Sequence, residues 1–471
     1  MAPSAMESEK KDSWGNGVFV KLLISAELFI CAVFWFSSAG YSIYRVYTAS
    51  RDNWPTLYEY DLQDGLSIFD RKKDIADFEW QFWVAIFTYY PFVIAMVGHV
   101  IMGRLCAAYM PQHRQSVFLL YSLTLLWLLL GTKTFGILIA NAVVIYMVAL
   151  FQIPLLCWMV GIGQVIALNQ DPMKQWQQQL YGDQEDHYNL MVFIVAMSNL
   201  RFLSFALEYC KLPTMEKRSN LRTLLDLLGY NFYLPLFFCG PVLTYDKFSA
   251  QINEKPRSLS KTELLHILKR FLQLSMWVIF IEVWFHFMYF AALQRNYGIF
   301  KYLPTWSIAG IGYCQVQFFQ VKYVVMFGVP RTVALFDHIT APREPACVSA
   351  LYTFKDMWRY FDRGLHSWLT RYIYIPLGGA KHGLIHRLVA SLACFAYVAY
   401  WHGGEDYLYA WCFLNWAGVS FETLVDMFSG TSFAQTIKQN LPEFVVHRLN
   451  ILLMTPSFVM LIISNLVFLG V

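Results

Sequence analysis

The sequence predicts an all-α polytopic membrane protein, on three observations. Hydrophobic residues make up 57% of the 471 and charged residues 14%, against roughly 45 to 50% and about 25% in soluble domains. Mean hydropathy is +0.41. Apolar stretches long enough to cross a hydrocarbon layer of about 30 Å recur along the whole chain. These features exclude a soluble, disordered or fibrous protein. The 16 Trp and 29 Tyr suit a chain with many helix ends at the headgroup level. A net charge of +4 is too weak and too scattered for a nucleic-acid partner.

Taken in order, residues 1–17 form a polar N-terminus, and residues 18–471 read as one membrane domain. Val18 to Tyr44 is too long for a signal-peptide core and lacks a small-residue cleavage site, so it is expected to stay as a spanning helix. Further spans are expected near 82–103, 116–132, 134–151, 153–169, 188–209, 271–293, 307–328, 384–401, 406–424 and 449–470, giving about ten or eleven transmembrane helices. Two apolar regions, 222–247 and 347–379, are interrupted by Pro, Gly and charge. Broken backbone at membrane depth is tolerated only where protein packs it or a cavity adjoins it, so both are candidate re-entrant segments. The polar loops near 45–78, 170–187, 211–221 and 248–264 are too short for a separate soluble domain. Lys and Arg are too evenly spread to set an orientation.

Three polar groups stand inside apolar helices, where a charge costs about 2.5 to 3.5 kcal/mol. Glu282 and His286 share a helix face. Lys322 accompanies Gln315, Gln317 and Gln320, and Asn199 accompanies Arg201. Each reads either as an internal pair or as the lining of a wet cavity. The nine cysteines are scattered singly, without a CxxC, and read mostly as small buried hydrophobes. They outline neither a disulfide framework nor a zinc site.

Two motifs carry chemistry. Trp401-His402-Gly403-Gly404 ends an apolar helix; an imidazole titrates near neutrality, as a general base requires, and the glycines let a ligand approach the backbone. The second runs Met357-Trp358-Arg359-Tyr360-Phe361-Asp362, Gly364-Leu365-His366-Ser367-Trp368 and Arg371-Tyr372-Ile373-Tyr374-Ile375-Pro376-Leu377-Gly378-Gly379. Arg359 and Asp362 are three apart, hence on one face of a helix.

In this order and spacing, the motifs at 357–379 and 401–404 resemble the membrane-bound O-acyltransferase family, whose polytopic members move an acyl chain from a CoA thioester to a hydroxyl or amine. The resemblance covers nearly the whole chain and implies a helical bundle around a central acyl-CoA and substrate tunnel. Asp362 stands where many relatives carry a histidine. With the Ser464-to-Gly470 phrase, it is similar to the branch that palmitoylates the N-terminal cysteine amine of secreted Hedgehog proteins in the endoplasmic reticulum. That likeness implies His402 and Asp362 as catalytic residues, palmitoyl-CoA as donor, a Hedgehog N-terminal peptide as acceptor, and membrane lipids as surroundings. A carboxylate suits an α-ammonium, whose ordinary pKa is about 7.7 to 8.0, because it can hold the cation. His366 matches no catalytic position and reads as packing. Trp358, Arg359, Trp401 and Asn465 are implied around the thioester and acyl chain. The resemblance alone marks Cys347 as a ligand of haem iron; a single thiol without a motif would otherwise read as inert. Members of this branch continue past the Gly470 phrase, so a chain ending at Val471 reads as short at its C-terminus.

Two alternatives stay open. One is an enzyme of the same family acylating a lipid or a secreted-protein hydroxyl, against which Asp362 argues. The other is a non-catalytic relative acting as a regulator, which would be expected to lack the histidine kept here. A transporter would explain the polar stripes but neither motif.

Overall fold

The computed structural model describes residues 18–213 and 219–470; the polar N-terminus 1–17 and Val471 lie outside the described residues. Nearly all of it is helix. The one sheet among the described residues is an antiparallel hairpin, Leu62–Asp64 against Lys72–Asp74, with Gln63 opposite Lys73.

Seven helices among the described residues are both long and apolar enough to cross a membrane: Ser25–Thr56, Tyr90–Tyr109, Pro111–Ala149, Glu185–Tyr209, Lys261–Trp284, Leu384–Trp401 and Glu443–Leu469. The difference from the larger number expected has local causes. The stretches 116–132 and 134–151 are the two arms of the single element Arg114–Ala149, two helices that meet at Gly131, where φ is 73° and the backbone leaves the helical region. Only glycine takes that angle without strain. Pro154–Asn169 is apolar but has 16 residues. Thr305–Ala334 and Asp406–Ser429 are long enough but carry Gln315, Gln317, Gln320 and Lys322 on one, and Asp406, Glu422 and Asp426 on the other.

The stretch 271–293 is not one helix. Lys261–Trp284 stops, the chain turns, and Phe290–Arg295 resumes. Glu282 and His286 therefore do not share a helix face as expected. The Leu66 N–H donates to His286 Nε2 at 2.9 Å, and Nδ1, which then carries the proton, donates to the Glu282 carbonyl at 2.7 Å. The Glu282 carboxylate instead accepts from Trp80 Nε1 at 2.9 Å and pairs with Lys73.

The other polar stripes are likewise satisfied within the protein. Buried Lys322 lies 2.8 Å from Glu79 and 3.0 Å from Asp77. Asn199 donates to the Gly161 carbonyl at 2.9 Å and to Gln164 at 3.0 Å. Arg201 donates to the carbonyls of Asn231, Leu236 and Phe237 at 3.3, 2.6 and 2.8 Å.

Those three carbonyls belong to the broken segment expected at 222–247. Helix Asn220–Asn231 ends, one turn forms at Leu234–Phe237, and the chain runs irregularly to a new helix at Tyr245–Ile252. Every residue from 230 to 244 is buried. Irregular backbone at this depth must find protein partners because lipid offers none, and the Arg201 guanidinium supplies donors to three of its carbonyls.

Candidate functional site

The second motif is built from short pieces. Thr353 caps helix Phe354–Tyr360 by accepting from Asp356 N–H, and Asp362 caps the next helix, Arg363–Leu369, by accepting from Leu365 N–H at 2.8 Å. Both are side-chain N-caps of the usual kind. Glu422 anchors the start of the motif by accepting from the N–H groups of Phe354 and Lys355 at 2.6 and 3.1 Å.

The rest of the motif is tied to helix Glu185–Tyr209. Trp368 Nε1 donates to the Leu200 carbonyl at 2.8 Å, the Tyr372 and Ser204 hydroxyls are 2.9 Å apart, and Arg371 lies 2.6 Å from Glu208 and 3.1 Å from Asp246. Gly364 packs on the broken segment so closely that a Cβ there would meet the Val242 carbonyl oxygen at 2.6 Å and its nitrogen at 2.8 Å. Backbone on both sides cannot yield as a side chain would. Gly364→Ala is therefore expected to push helix Arg363–Leu369 away, lowering stability by about 1 to 3 kcal/mol and displacing Asp362. Thermal unfolding together with the transfer rate checks this; wild-type values for both would refute the contact.

His402 follows the last residue of helix Leu384–Trp401. Its ring lies 4.8 Å from that of Trp401, 6.3 Å from Trp411 and 5.7 Å from Phe468. Trp358 of the second motif touches the same wall, 5.5 Å from Trp411. Phe468 also meets Phe319 at 5.7 Å, and Phe319 stacks on Phe361 at 5.4 Å, next to Asp362. A run of aromatic rings thus joins the histidine to the acid. His402 is exposed and Asp362 half-buried although protein surrounds both. Burial pushes the Asp362 carboxyl up to about 6, against the opposing pull of the Leu365 and Gly364 N–H groups. A hollow of about 490 Å³, between the hairpin and residues including Arg51, Arg71 and Phe287, contains neither Asp362 nor His402.

The remaining sequence-predicted residues fall into two groups. Trp358 and Trp401 sit within the aromatic wall, fixed by Nε1 donation to Asn415 at 2.8 Å and to the Ala196 carbonyl at 3.0 Å. Arg359 is largely exposed, with a loose 3.9 Å contact to Asp356. The Asn465 amide donates back to Leu461 of its own helix at 2.9 Å. That helix meets the site instead through Phe468 and through Ser464, which accepts from Asn415 at 2.6 Å. Phe319, Trp411 and Asn415 carry no signal in the sequence, where they are indistinguishable from ordinary apolar and polar helix residues. His366 is half-buried.

Cys347 is exposed and free, at the start of the turn Val348–Ala350. Its flank is held by Val348 N–H donating to Gln320 at 3.3 Å and by Gln317 donating to Ser349 at 2.7 Å.

Residues 137–464 match the membrane-bound O-acyltransferase (MBOAT) family. Protein-cysteine N-palmitoyltransferase HHAT of Mus musculus is 33% identical over 451 residues, covering 94% of this chain and 90% of its own. The Mus musculus HHAT-like protein is 32% identical over 447 residues, covering 94% and 87%. Protein-cysteine N-palmitoyltransferase Rasp of Drosophila melanogaster is 25% identical over 459 residues, covering 95% and 88%. The chain belongs to the membrane-bound O-acyltransferase family and is a multi-pass membrane acyltransferase.

Proposed function

We propose that this enzyme transfers palmitate from palmitoyl-CoA to the N-terminal cysteine amine of Hedgehog-type secreted proteins, within the endoplasmic reticulum membrane, and that residues 18–471 act as one membrane domain. The observation that carries this reading is the shared aromatic wall: Trp358 of one motif and His402 of the other both meet Trp411. Asp362 holds the acceptor's α-ammonium by charge, and His402 takes the proton that must leave before nitrogen can attack. The amine adds to the thioester carbonyl, the C–S bond breaks as the CoA thiolate takes the proton from the imidazolium, and the freed imidazole accepts the second proton from the new amide nitrogen and releases it to water. A thioester is already an activated acyl group, so this route needs nothing further from the protein than position and proton transfer. Trp358 and Arg359 shape the CoA or thioester end of the tunnel, Asn465 lies near the acyl group, and Trp401 adjoins the catalytic His402. Each buried methylene of the palmitoyl chain adds about 0.8 kcal/mol, so the depth of the apolar tunnel sets the chain length accepted.

Cys347, exposed and free, would hold haem iron through its thiolate, as the family resemblance implies. A Soret band in purified protein, lost in Cys347→Ser, is expected; its absence from wild type removes the assignment.

A non-catalytic relative acting as a regulator would be expected to lack the catalytic histidine. Retention of His402 favours the enzyme. Purified protein given palmitoyl-CoA should acylate a peptide with a free N-terminal cysteine and leave its N-acetylated counterpart unmodified. Transfer to a lysophospholipid or to a peptide hydroxyl, with the cysteine peptide untouched, would overturn the proposed acceptor.

A further inference from the structure

Two cysteines that the sequence keeps 53 positions apart meet in the fold. Cys157 lies one turn into helix Pro154–Asn169, and Cys210 caps the C-terminal end of helix Glu185–Tyr209. Their sulfurs are 3.7 Å apart, with Cys157 buried and Cys210 half-exposed. No other cysteine pair among the described residues is in hydrogen-bond contact. The surroundings hold this juxtaposition firmly. Gln152, ahead of the first helix, donates to the carbonyls of Tyr209 and Leu212, both at 3.3 Å. Trp158, next to Cys157, packs edge-on against Trp368 of the second motif at 5.9 Å. Glu208, two residues before Cys210, holds Arg371.

We propose that Cys157 and Cys210 form a reversible redox site, closing to a disulfide by exchange with a low-molecular-weight disulfide such as oxidised glutathione. The sulfurs need to approach by about 1.7 Å to reach the bond length of about 2.05 Å, within the reach of side-chain rotation and a slight helix shift. The more accessible Cys210 attacks first. Its thiolate displaces one glutathione thiolate and forms a mixed disulfide. The Cys157 thiol then loses its proton, its sulfur attacks that of Cys210, and the second glutathione leaves. Two protein thiols are oxidised, one glutathione disulfide is reduced to two glutathiones, and the two released protons pass to their thiolates. The bond staples two helices that the second motif uses as its platform. It also closes a loop in the unfolded chain, which favours the folded state. This site is independent of the acceptor assigned above, because it concerns the state of the scaffold and not the transferred group.

The test uses purified full-length protein incubated with oxidised glutathione, alkylated, digested without reductant and read by mass spectrometry. The expected product is a peptide pair joined through Cys157 and Cys210, abolished by dithiothreitol, with the unfolding midpoint raised by several degrees. In Cys157→Ser, Cys210 should stop at the glutathione adduct, because its resolving thiol is gone. Recovery of both cysteines as separately alkylated peptides after oxidation of the wild type would overturn the proposal. So would a disulfide joining either of them to a different cysteine. The wild-type measurement stands without the variant if Cys157→Ser fails to fold.

Discussion

His402→Ala lowers palmitoyl transfer by roughly 10²- to 10⁴-fold, the range of a lost general base, with the protein still folded. The side chain is exposed and contacts its neighbours only through ring edges, so its removal strands no hydrogen-bond partner. Asp362 needs a subtler substitution, because its carboxylate also caps helix Arg363–Leu369. Asp362→Asn keeps an oxygen to accept from Leu365 N–H and removes the charge that would hold the ammonium. Transfer should fall as for His402→Ala while the unfolding midpoint stays level or rises. The direction of that stability change follows from linkage. A carboxyl raised to about 6 binds its proton more readily in the folded chain than in the unfolded one. Its stabilising contribution is complete below the ordinary carboxylate range and is lost as pH rises through about 6. The neutral amide is free of that loss at pH 7. For catalysis the dependence runs the other way: the ionised acid is the active form, so the wild-type rate should decline as pH drops through about 6. Wild-type turnover in either variant, in a detergent assay with purified protein, would sink the roles assigned to these two residues.

Lys322→Met should destabilise the protein by about 3 to 5 kcal/mol, the usual result of removing one partner from a buried ion pair. Lys322 is buried between Glu79 and Asp77, and Asp77 in addition accepts from Trp80 N–H at 2.7 Å to cap helix Phe78–Thr88. Methionine matches the stem of lysine but leaves two carboxylates facing an apolar wall. Heat-induced unfolding of the purified variant measures the loss. A change below about 1 kcal/mol would mean that water already reaches the pair, in line with the weak contribution of exposed salt bridges.

How far the sequence revealed these features depends on how local each one is. The 384–401 span and the helical breaks around Pro and Gly near 235 and 376 are written in consecutive residues, so the periodicity and the breakers expose them. The pairing of Lys322 with Glu79 spans 243 positions, and nothing local in a run of glutamines marks its partner. The helix stop at Trp284 was missed for the same reason: the apolar run continues through Phe285 and Phe290, and the turn is fixed by Leu66 N–H reaching His286 from the hairpin. At the site, the likeness of the two motifs to the family marks Asp362 and Trp358, and His402 is marked besides by an imidazole's ordinary titration near neutrality. Phe319 and Trp411 carry no such mark, and only folding shows that they, with Phe361, connect the two polar groups. Asn415 joins Trp358 to Ser464 across three helices, a role visible only once those helices are placed.

Phe468 belongs to the last described helix, Glu443–Leu469, yet it touches His402, Trp411 and Phe319. Biosynthesis runs from the other end, so both motifs leave the ribosome before this ring has been made. The nascent chain therefore enters the bilayer with its imidazole lacking one flank. The aromatic wall beside His402 gains the Phe468 ring only when helix Glu443–Leu469 inserts and docks. A chain stopped between residues 404 and 468 would carry both motifs and lack that ring.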